Sequence, residues 1–157
     1  ILHEPKLLIF DEPFSGFDPV NADLLKKEIL ALKDKGATII FSTHNMSSVE
    51  ELCDNISLID KSKIVLQGNV GEIRAAHATG TYRVVTKTNL HADSFDVLNE
   101  KETHHGFEYV LKSKAGESNN VLLGKLMIQS ELFSFEEMLP TMNDIFIETV
   151  TTRPKQL

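Results

Sequence analysis

"KLLIFDEPFSGFDPVN", residues 6–21, contains a short apolar strand that runs directly into two adjacent carboxylates, Asp11 and Glu12. A continuous apolar run such as residues 7–10 is typical of a strand that is covered on both faces of a parallel sheet. An unpaired carboxylate is costly to bury. We therefore expect the strand to end here and both carboxylates to lie at its carboxyl edge.

A second strand of the same kind is predicted at residues 38–41, "TIIF". The segment between the two strands predicts a helix with Asp18 as N-cap, Pro19 as its first residue and Gly36 at its end. Strand, helix and strand in this order form a right-handed βαβ unit. The fold class predicted for this half is therefore α/β, a parallel sheet with flanking helices. Four apolar residues share the inward face of the helix: Leu24, Leu25, Ile29 and Leu32.

The first domain is predicted to span residues 1–77 because residues 76–81 are small, polar and contain glycine, which is typical of a boundary. A second domain is predicted over residues 80–152, where strands with alternating polarity are followed by helices. This order favours a small α+β domain of the ferredoxin type. The remaining elements are predicted as helices at 46–53, 69–77, 117–129 and 140–150, and as strands at 55–60, 63–68, 81–87, 106–113 and 132–139.

The composition excludes several classes of protein. With 157 residues, 41% of them hydrophobic, the chain suits one ordinary domain or two small ones. No apolar run approaches the roughly 20 residues of a membrane span, so we expect no direct membrane insertion. The net charge of −7 argues against a nucleic-acid partner. A single cysteine, Cys53, excludes an internal disulfide and a multi-cysteine metal site.

Three polar side chains are predicted to meet at one edge of the sheet. Asp11 can hold a hard cation such as Mg²⁺, and Glu12 can orient or deprotonate a water. His44 follows the second apolar strand and can donate a hydrogen bond to a phosphate oxygen. Each has an ordinary alternative, an acidic loop start or an exposed histidine, but ligands bind outside the carboxyl ends of parallel strands. The convergence therefore favours a catalytic site.

The motifs "LLIFDEP", "SGFD" and "TIIFSTHN", in this order, resemble the second half of an ABC transporter ATP-binding subunit, which is a P-loop NTPase. The resemblance implies that Leu7 to Asp11 form the Walker B strand, with Asp11 on Mg²⁺. It implies that Glu12 is the catalytic carboxylate and that His44 is the switch histidine, which contacts the γ-phosphate. Phosphoryl transfer depends mostly on positioning and charge neutralisation, which these residue types provide.

The same resemblance implies the cofactors ATP and Mg²⁺ and two protein partners. Ser15, Gly16 and Asp18 match the D-loop, which binds at the nucleotide and faces a second ATPase subunit, and Phe17 stands where the family usually has leucine. A transmembrane permease is the other partner, and it would hold the protein at the cytoplasmic face of the membrane. Transport across that membrane would be coupled to ATP hydrolysis.

Two family motifs are missing from the sequence. It contains neither a G-x-x-x-x-G-K-[ST] phosphate-binding loop nor an "LSGGQ"-type signature, and its one "GK", at Gly124, lies in a predicted helix. Residues 1–5 resemble the end of the helix before Walker B, and the chain does not begin with Met. We therefore expect a fragment whose front portion has been cut away and which is inactive alone.

The second half resembles the small C-terminal domain of some ABC-2 type exporter ATPases, most clearly at residues 133–150, "FSFEEMLPTMNDIFIETV". An alternative function is a regulatory or dimerisation module without catalysis of its own. A chromosome-maintenance or repair ATPase head is less favoured, because the sequence has neither coiled-coil arms nor a basic surface. The adjacent His104 and His105 are predicted to lie in a solvated loop and not in a metal site.

Overall fold

The computed structural model describes residues 5–152, except for the side chain of Ala92. Four of the five residues matched above to a helix end, residues 1–4, lie outside this range. Contacts divide the chain into two units, one ending at Ile73 and resuming at Thr141, the other running from Arg74 to Pro140. Each unit is described separately.

The first unit begins with the predicted βαβ arrangement. Strand β1 (Leu7–Asp11) pairs in parallel with β2 (Thr38–Ser42), and helix α1 (Pro19–Asp34) connects them. Asp18 caps α1 by accepting hydrogen bonds from two backbone amides, as predicted. The pairing continues to the last residue of each strand, so both strands end at one level.

The two strands are not covered on both faces, so this expectation was wrong. Exposure alternates along β1 and β2: Ile9 is 71% exposed and Ile40 is 54% exposed, whereas Phe10 and Phe41 are half-buried. Within residues 5–152 β1 pairs with β2 alone. One face of the β1–β2 pair is therefore exposed to solvent, although the apolar run of each strand is continuous.

The rest of the first unit follows the predicted order. Strands β3 and β4 form an antiparallel hairpin, and the two residues of its turn, Lys61 and Ser62, have φ of +48° and +62°. Positive φ at both positions is typical of the type I′ turn, whose twist matches that of paired strands. The elements here are α2 (Met46–Leu52), β3 (Asn55–Asp60), β4 (Lys63–Asn69) and α3 (Val70–Ala76), the last crossing the boundary between units.

The closing helix α5 (Met142–Thr151) belongs to the first unit, although the sequence analysis included it in the second domain. Met142 and Ile145 are buried, and the carboxylate of Glu50 in α2 accepts a hydrogen bond from the Met142 amide at 2.7 Å. The helix packs here because its apolar side completes the core of this unit. That core also contains Val49, Val70 and Ile73.

Replacing the N-cap of α5 should destabilise the helix. The Thr141 hydroxyl accepts from the Asp144 amide at 3.1 Å and donates to the Asp144 carboxylate at 2.5 Å, which lowers the pKa of that carboxyl from its ordinary 3.8. Thr141→Ala should lower the free energy of unfolding by about 1 kcal/mol at neutral pH. Hydrogen exchange of the α5 amides measures this effect.

The effect of Thr141→Ala should shrink in acid. A lowered carboxyl pKa stabilises the fold above the ordinary value, and this contribution is lost as the pH falls through the lowered one. Thr151→Ala, which removes a hydroxyl bonded to the Ile147 carbonyl at the other end of α5, serves as control and should change stability by less than about 0.5 kcal/mol. Equal exchange rates in the two variants would contradict the role of the cap.

The second unit is a four-stranded antiparallel sheet with one helix, in the strand order β6-β7-β5-β8. The ferredoxin-type pattern is present except for its first helix, which is replaced by a short 3-10 turn at Ala92–Ser94. Six residues are the most buried part of its core: Tyr82, Val84, Tyr109, Leu111, Leu122 and Leu126. The elements are β5 (Thr81–Thr86), β6 (Asp96–Thr103), β7 (Gly106–Lys112), α4 (Asn119–Gln129) and β8 (Leu132–Glu137).

Strand β6 was not predicted from the sequence. Its residues 99–102, "NEKE", are all polar and all exposed, so no apolar alternation marks the strand. It forms an edge of the sheet, where charged side chains discourage pairing with other chains. The predicted loop at His104 and His105 is the two-residue turn between β6 and β7, since Thr103 pairs with Gly106.

Candidate functional site

The parallel pairing of β1 and β2 brings the three predicted side chains to one edge. Asp11 lies directly opposite Ser42 in the register, and Glu12 and His44 follow within two residues of each strand end. The His44 Nδ1 atom lies 2.7 Å from Glu12 Oε1. The predicted convergence of Asp11, Glu12 and His44 is therefore present in the structure.

The Glu12 carboxylate is held by hydrogen bonds from β2. Its Oε1 atom accepts from the His44 amide at 3.0 Å as well as from the His44 ring, and its Oε2 atom lies 3.3 Å from the Thr43 hydroxyl. These bonds, above all the one from the His44 side chain, lower the pKa of Glu12 from its ordinary value of 4.5. Glu12 is consequently ionised at neutral pH, and because it can only accept, the shared proton lies on Nδ1 of His44.

The backbone of Glu12 has an unusual conformation. Its φ is +44°, in the left-handed region that few residues other than glycine adopt. The Glu12 amide donates to the Ser42 carbonyl at 3.1 Å and to the Ser42 hydroxyl oxygen at 3.3 Å, and both bonds support this turn. Backbone strain of this kind concentrates at functional sites.

Asp11 is the residue that the sequence analysis predicts to hold Mg²⁺. Its Oδ1 atom accepts from the Ser42 hydroxyl, whereas Oδ2 has no hydrogen-bond partner among residues 5–152. No cluster of three or more His, Cys, Asp or Glu side chains that could enclose a metal ion occurs within that range. Mg²⁺ is commonly held by one or two carboxylates together with substrate phosphates and waters. The donor set at Asp11 fits this arrangement and not an all-protein metal site.

The predicted D-loop residues lie on an exposed turn after the site. The Ser15 amide donates to the Glu12 carbonyl at 3.1 Å, and Gly16 has φ +80°. Asp18 uses its carboxylate to cap α1, accepting from the amides of Val20 and Asn21 at 3.0 and 3.1 Å. Within residues 5–152 no side-chain hydrogen bond joins Ser15 or Asp18 to Asp11, Glu12 or His44, so their nucleotide role stays a prediction.

Sequence reasoning missed Ser42 and Thr43, whose hydroxyls bond the two carboxylates. Their signal is the register of the parallel pair, which places the residue two before His44 opposite Asp11. Cys53 is partly buried against the core of the first unit, and burial raises the pKa of its thiol.

No helix in residues 5–152 has the length and apolar character that crossing a membrane requires.

Among known proteins, the family model for the C-terminal domain of DrrA1-3-like ATP-binding proteins matches residues 68–150, more than half of the chain.

Individual proteins of known sequence or structure are also similar to this chain. The uncharacterized ABC transporter ATP-binding protein YhaQ of Bacillus subtilis is 40% identical over 154 residues, which are 96% of this chain and 50% of that protein. A fluoroquinolones export ATP-binding protein of Mycobacterium tuberculosis is 39% identical over 54% of this chain and 28% of its own length. A solved ATP-binding subunit of an ABC transporter, 36% identical, gives a TM-score of 0.43 over 46% of this chain and 30% of its own.

This chain thus spans about half the length of the first of these curated relatives. The match to the family model includes the last two residues of β4, all of α3, the whole second unit and most of α5. The match therefore includes residues of both units, and both relatives named above are described as ATP-binding proteins. The chain belongs to the ABC transporter ATP-binding proteins that carry the DrrA1-3-like C-terminal domain.

Proposed function

We propose that this chain supplies the water-activating part of an ATP-hydrolysing site in an ABC transporter. The observation that carries the proposal is the convergence of Asp11, Glu12 and His44 at the carboxyl ends of β1 and β2. Ligands bind at this edge of parallel sheets. The relatives' names support the same assignment: one is an ABC transporter ATP-binding protein and the other is an export ATP-binding protein.

Glu12 is proposed as the residue that positions the attacking water and accepts its proton. An ionised carboxylate is required for this role, and the hydrogen bonds from His44 and Thr43 favour that form. They also fix the carboxylate: one oxygen is shared with two donors on His44, and the other faces the weaker donor on Thr43 at 3.3 Å. Oε2 is therefore the oxygen that a water can approach most easily.

Asp11 is proposed to hold Mg²⁺, and His44 to contact the terminal phosphate. When bound, Mg²⁺ would neutralise charge on the phosphates. Asp11 Oδ2 is available for that contact, since its other oxygen accepts from Ser42. The His44 side chain is 85% exposed, and its Nε2 faces away from the bond to Glu12. Because Nδ1 already donates to Glu12, Nε2 would donate to the phosphate in the imidazolium form, which carries a proton on both ring nitrogens.

The partners and location follow from the family assignment and are also proposals. Ser15, Gly16 and Asp18 would face a second ATPase subunit across the nucleotide, and their exposure permits this contact. A transmembrane permease would receive the energy of hydrolysis and keep the protein at the cytoplasmic face of the membrane. We retain residues 1–77 as the nucleotide-binding part and 80–152 as an accessory domain, with α5 packed in the first unit.

The experiment compares this chain with the complete protein, meaning this chain together with the phosphate-binding part that we propose works with it. The complete protein should hydrolyse MgATP. The 157-residue chain alone should bind ATP far more weakly than a Kd of about 1 μM, because it has no phosphate-binding loop sequence. Isothermal titration with ATP measures the affinity, and phosphate release measures turnover. A micromolar Kd for the chain alone, or no turnover by the complete protein, would contradict the proposal.

A further inference from the structure

We propose that Ser42 is a positioning residue for the magnesium site: its hydroxyl fixes the Asp11 carboxylate so that Oδ2 is presented to the cation. This inference rests on the proposed function and adds a residue to it. Ser42 touches neither the nucleotide nor the metal in this proposal, and it acts through Asp11.

The register of the parallel pair places the two side chains together. Asp11 and Ser42 are partners at the last position of β1 and β2, and both are exposed. Partners in a sheet have their side chains on the same face, a short distance apart. The Ser42 hydroxyl donates to Asp11 Oδ1 across this gap. The contact is thus a consequence of where both strands end.

The direction of the Ser42 proton is set by the backbone of Glu12. The Glu12 amide lies 3.3 Å from Ser42 Oγ and also donates to the Ser42 carbonyl at 3.1 Å. Because the hydroxyl oxygen faces an N–H group, its own proton is free to be given to Asp11. Ser42 therefore supports both candidate carboxylate residues: its hydroxyl donates to Asp11, and its carbonyl and hydroxyl oxygens accept from the Glu12 amide.

Among the residues that the structure describes, one side-chain bond orients the Asp11 carboxylate. Within residues 5–152 only the Ser42 hydroxyl donates a hydrogen bond to this carboxylate. Groups that orient a metal ligand from behind typically contribute 10- to 100-fold to metal affinity. Thr43 is a weaker candidate, since its hydroxyl lies 3.3 Å from Glu12, which His44 already holds.

The test replaces Ser42 in the complete protein and measures metal affinity directly. Mn²⁺ is titrated into protein loaded with a non-hydrolysable ATP analogue, and bound Mn²⁺ is followed by electron paramagnetic resonance. Ser42→Ala should raise the Mn²⁺ concentration for half-saturation by about 10- to 100-fold. Affinity for the analogue without metal should stay unchanged. Ser42→Thr, which keeps the hydroxyl, should restore most of the metal affinity.

Thr38→Ala is the matched control, because Thr38 lies on the same strand and the same exposed face as Ser42. It should leave Mn²⁺ affinity unchanged. Three results would each overturn the inference in a protein that still hydrolyses ATP without substitution. They are unaltered Mn²⁺ affinity in Ser42→Ala, an equal loss of affinity in Thr38→Ala, and no recovery of affinity in Ser42→Thr. If the unsubstituted complete protein failed to hydrolyse ATP, the proposed function would fall, and the role of Ser42 with it.

Discussion

Replacing Glu12 with Gln should reduce ATP turnover of the complete protein by on the order of 10² or more while ATP binding is retained. Gln has nearly the shape of Glu, and its amide oxygen can still accept from the His44 amide and ring that now lie 3.0 and 2.7 Å from Oε1. It cannot accept a proton from water. The loss should therefore appear in kcat, and single-turnover phosphate release measures it.

Glu28→Gln is the matched control for this prediction. Glu28 is an exposed residue of α1 in the same unit, so its replacement makes the same change in net charge away from the site. It should leave both ATP affinity and kcat unchanged. Unchanged turnover in Glu12→Gln, or an equal loss in both variants, would remove Glu12 from the role of catalytic base.

The pH dependence of turnover gives a further check on Glu12. The bond from the His44 side chain is the main cause that lowers the pKa of Glu12 below 4.5. A rate that requires the ionised carboxylate is complete above that ordinary value and falls only as the pH drops through the lowered pKa. His44→Ala should therefore move the acidic fall in rate towards higher pH. If the fall in rate occurs at the same pH in His44→Ala as in the unsubstituted protein, the hydrogen bond from His44 does not lower the pKa of Glu12.

The parts of the site that the sequence predicts depend on strand ends. Asp11 and His44 each follow an apolar run, and two adjacent parallel strands must end at the same edge, so their proximity needs no knowledge of side-chain rotamers. The contacts of Ser42 and Thr43 do need the exact register and rotamers. A serine and a threonine beside a histidine carry no pattern of their own, and they were missed for that reason.

The parts of the fold that the sequence did not predict depend on what lies next to each element. Strand β6 has no apolar alternation because it is a solvated edge. The amphipathic pattern of α5 predicts a helix, but it does not say which core receives Met142 and Ile145, and they pack beside Val49. Whether the second face of β1 and β2 is buried likewise depends on which elements pack against it, and the apolar run alone does not predict that.

Replacing Gly106 with Ala should destabilise the second unit by about 3 kcal/mol. Gly106 has φ +144°, which an L side chain rarely adopts, and a Cβ there would lie 2.0 Å from the carbonyl oxygen of Thr86. That oxygen cannot move away easily, because Thr86 is fully buried at the end of β5 and pairs with Phe107. Relief would require the start of β7 to separate from β5.

Gly124→Ala supplies a control with the opposite sign. Gly124 lies inside α4 with nothing within 4 Å of an added Cβ, so the better helix propensity of alanine should stabilise the unit by about 0.5–1 kcal/mol. The chain has no tryptophan, and both of its tyrosines, Tyr82 and Tyr109, are buried in this unit. Tyrosine fluorescence during urea unfolding therefore reports the second unit alone. Equal midpoints for the two variants would show that the close approach of Gly106 to Thr86 does not limit stability.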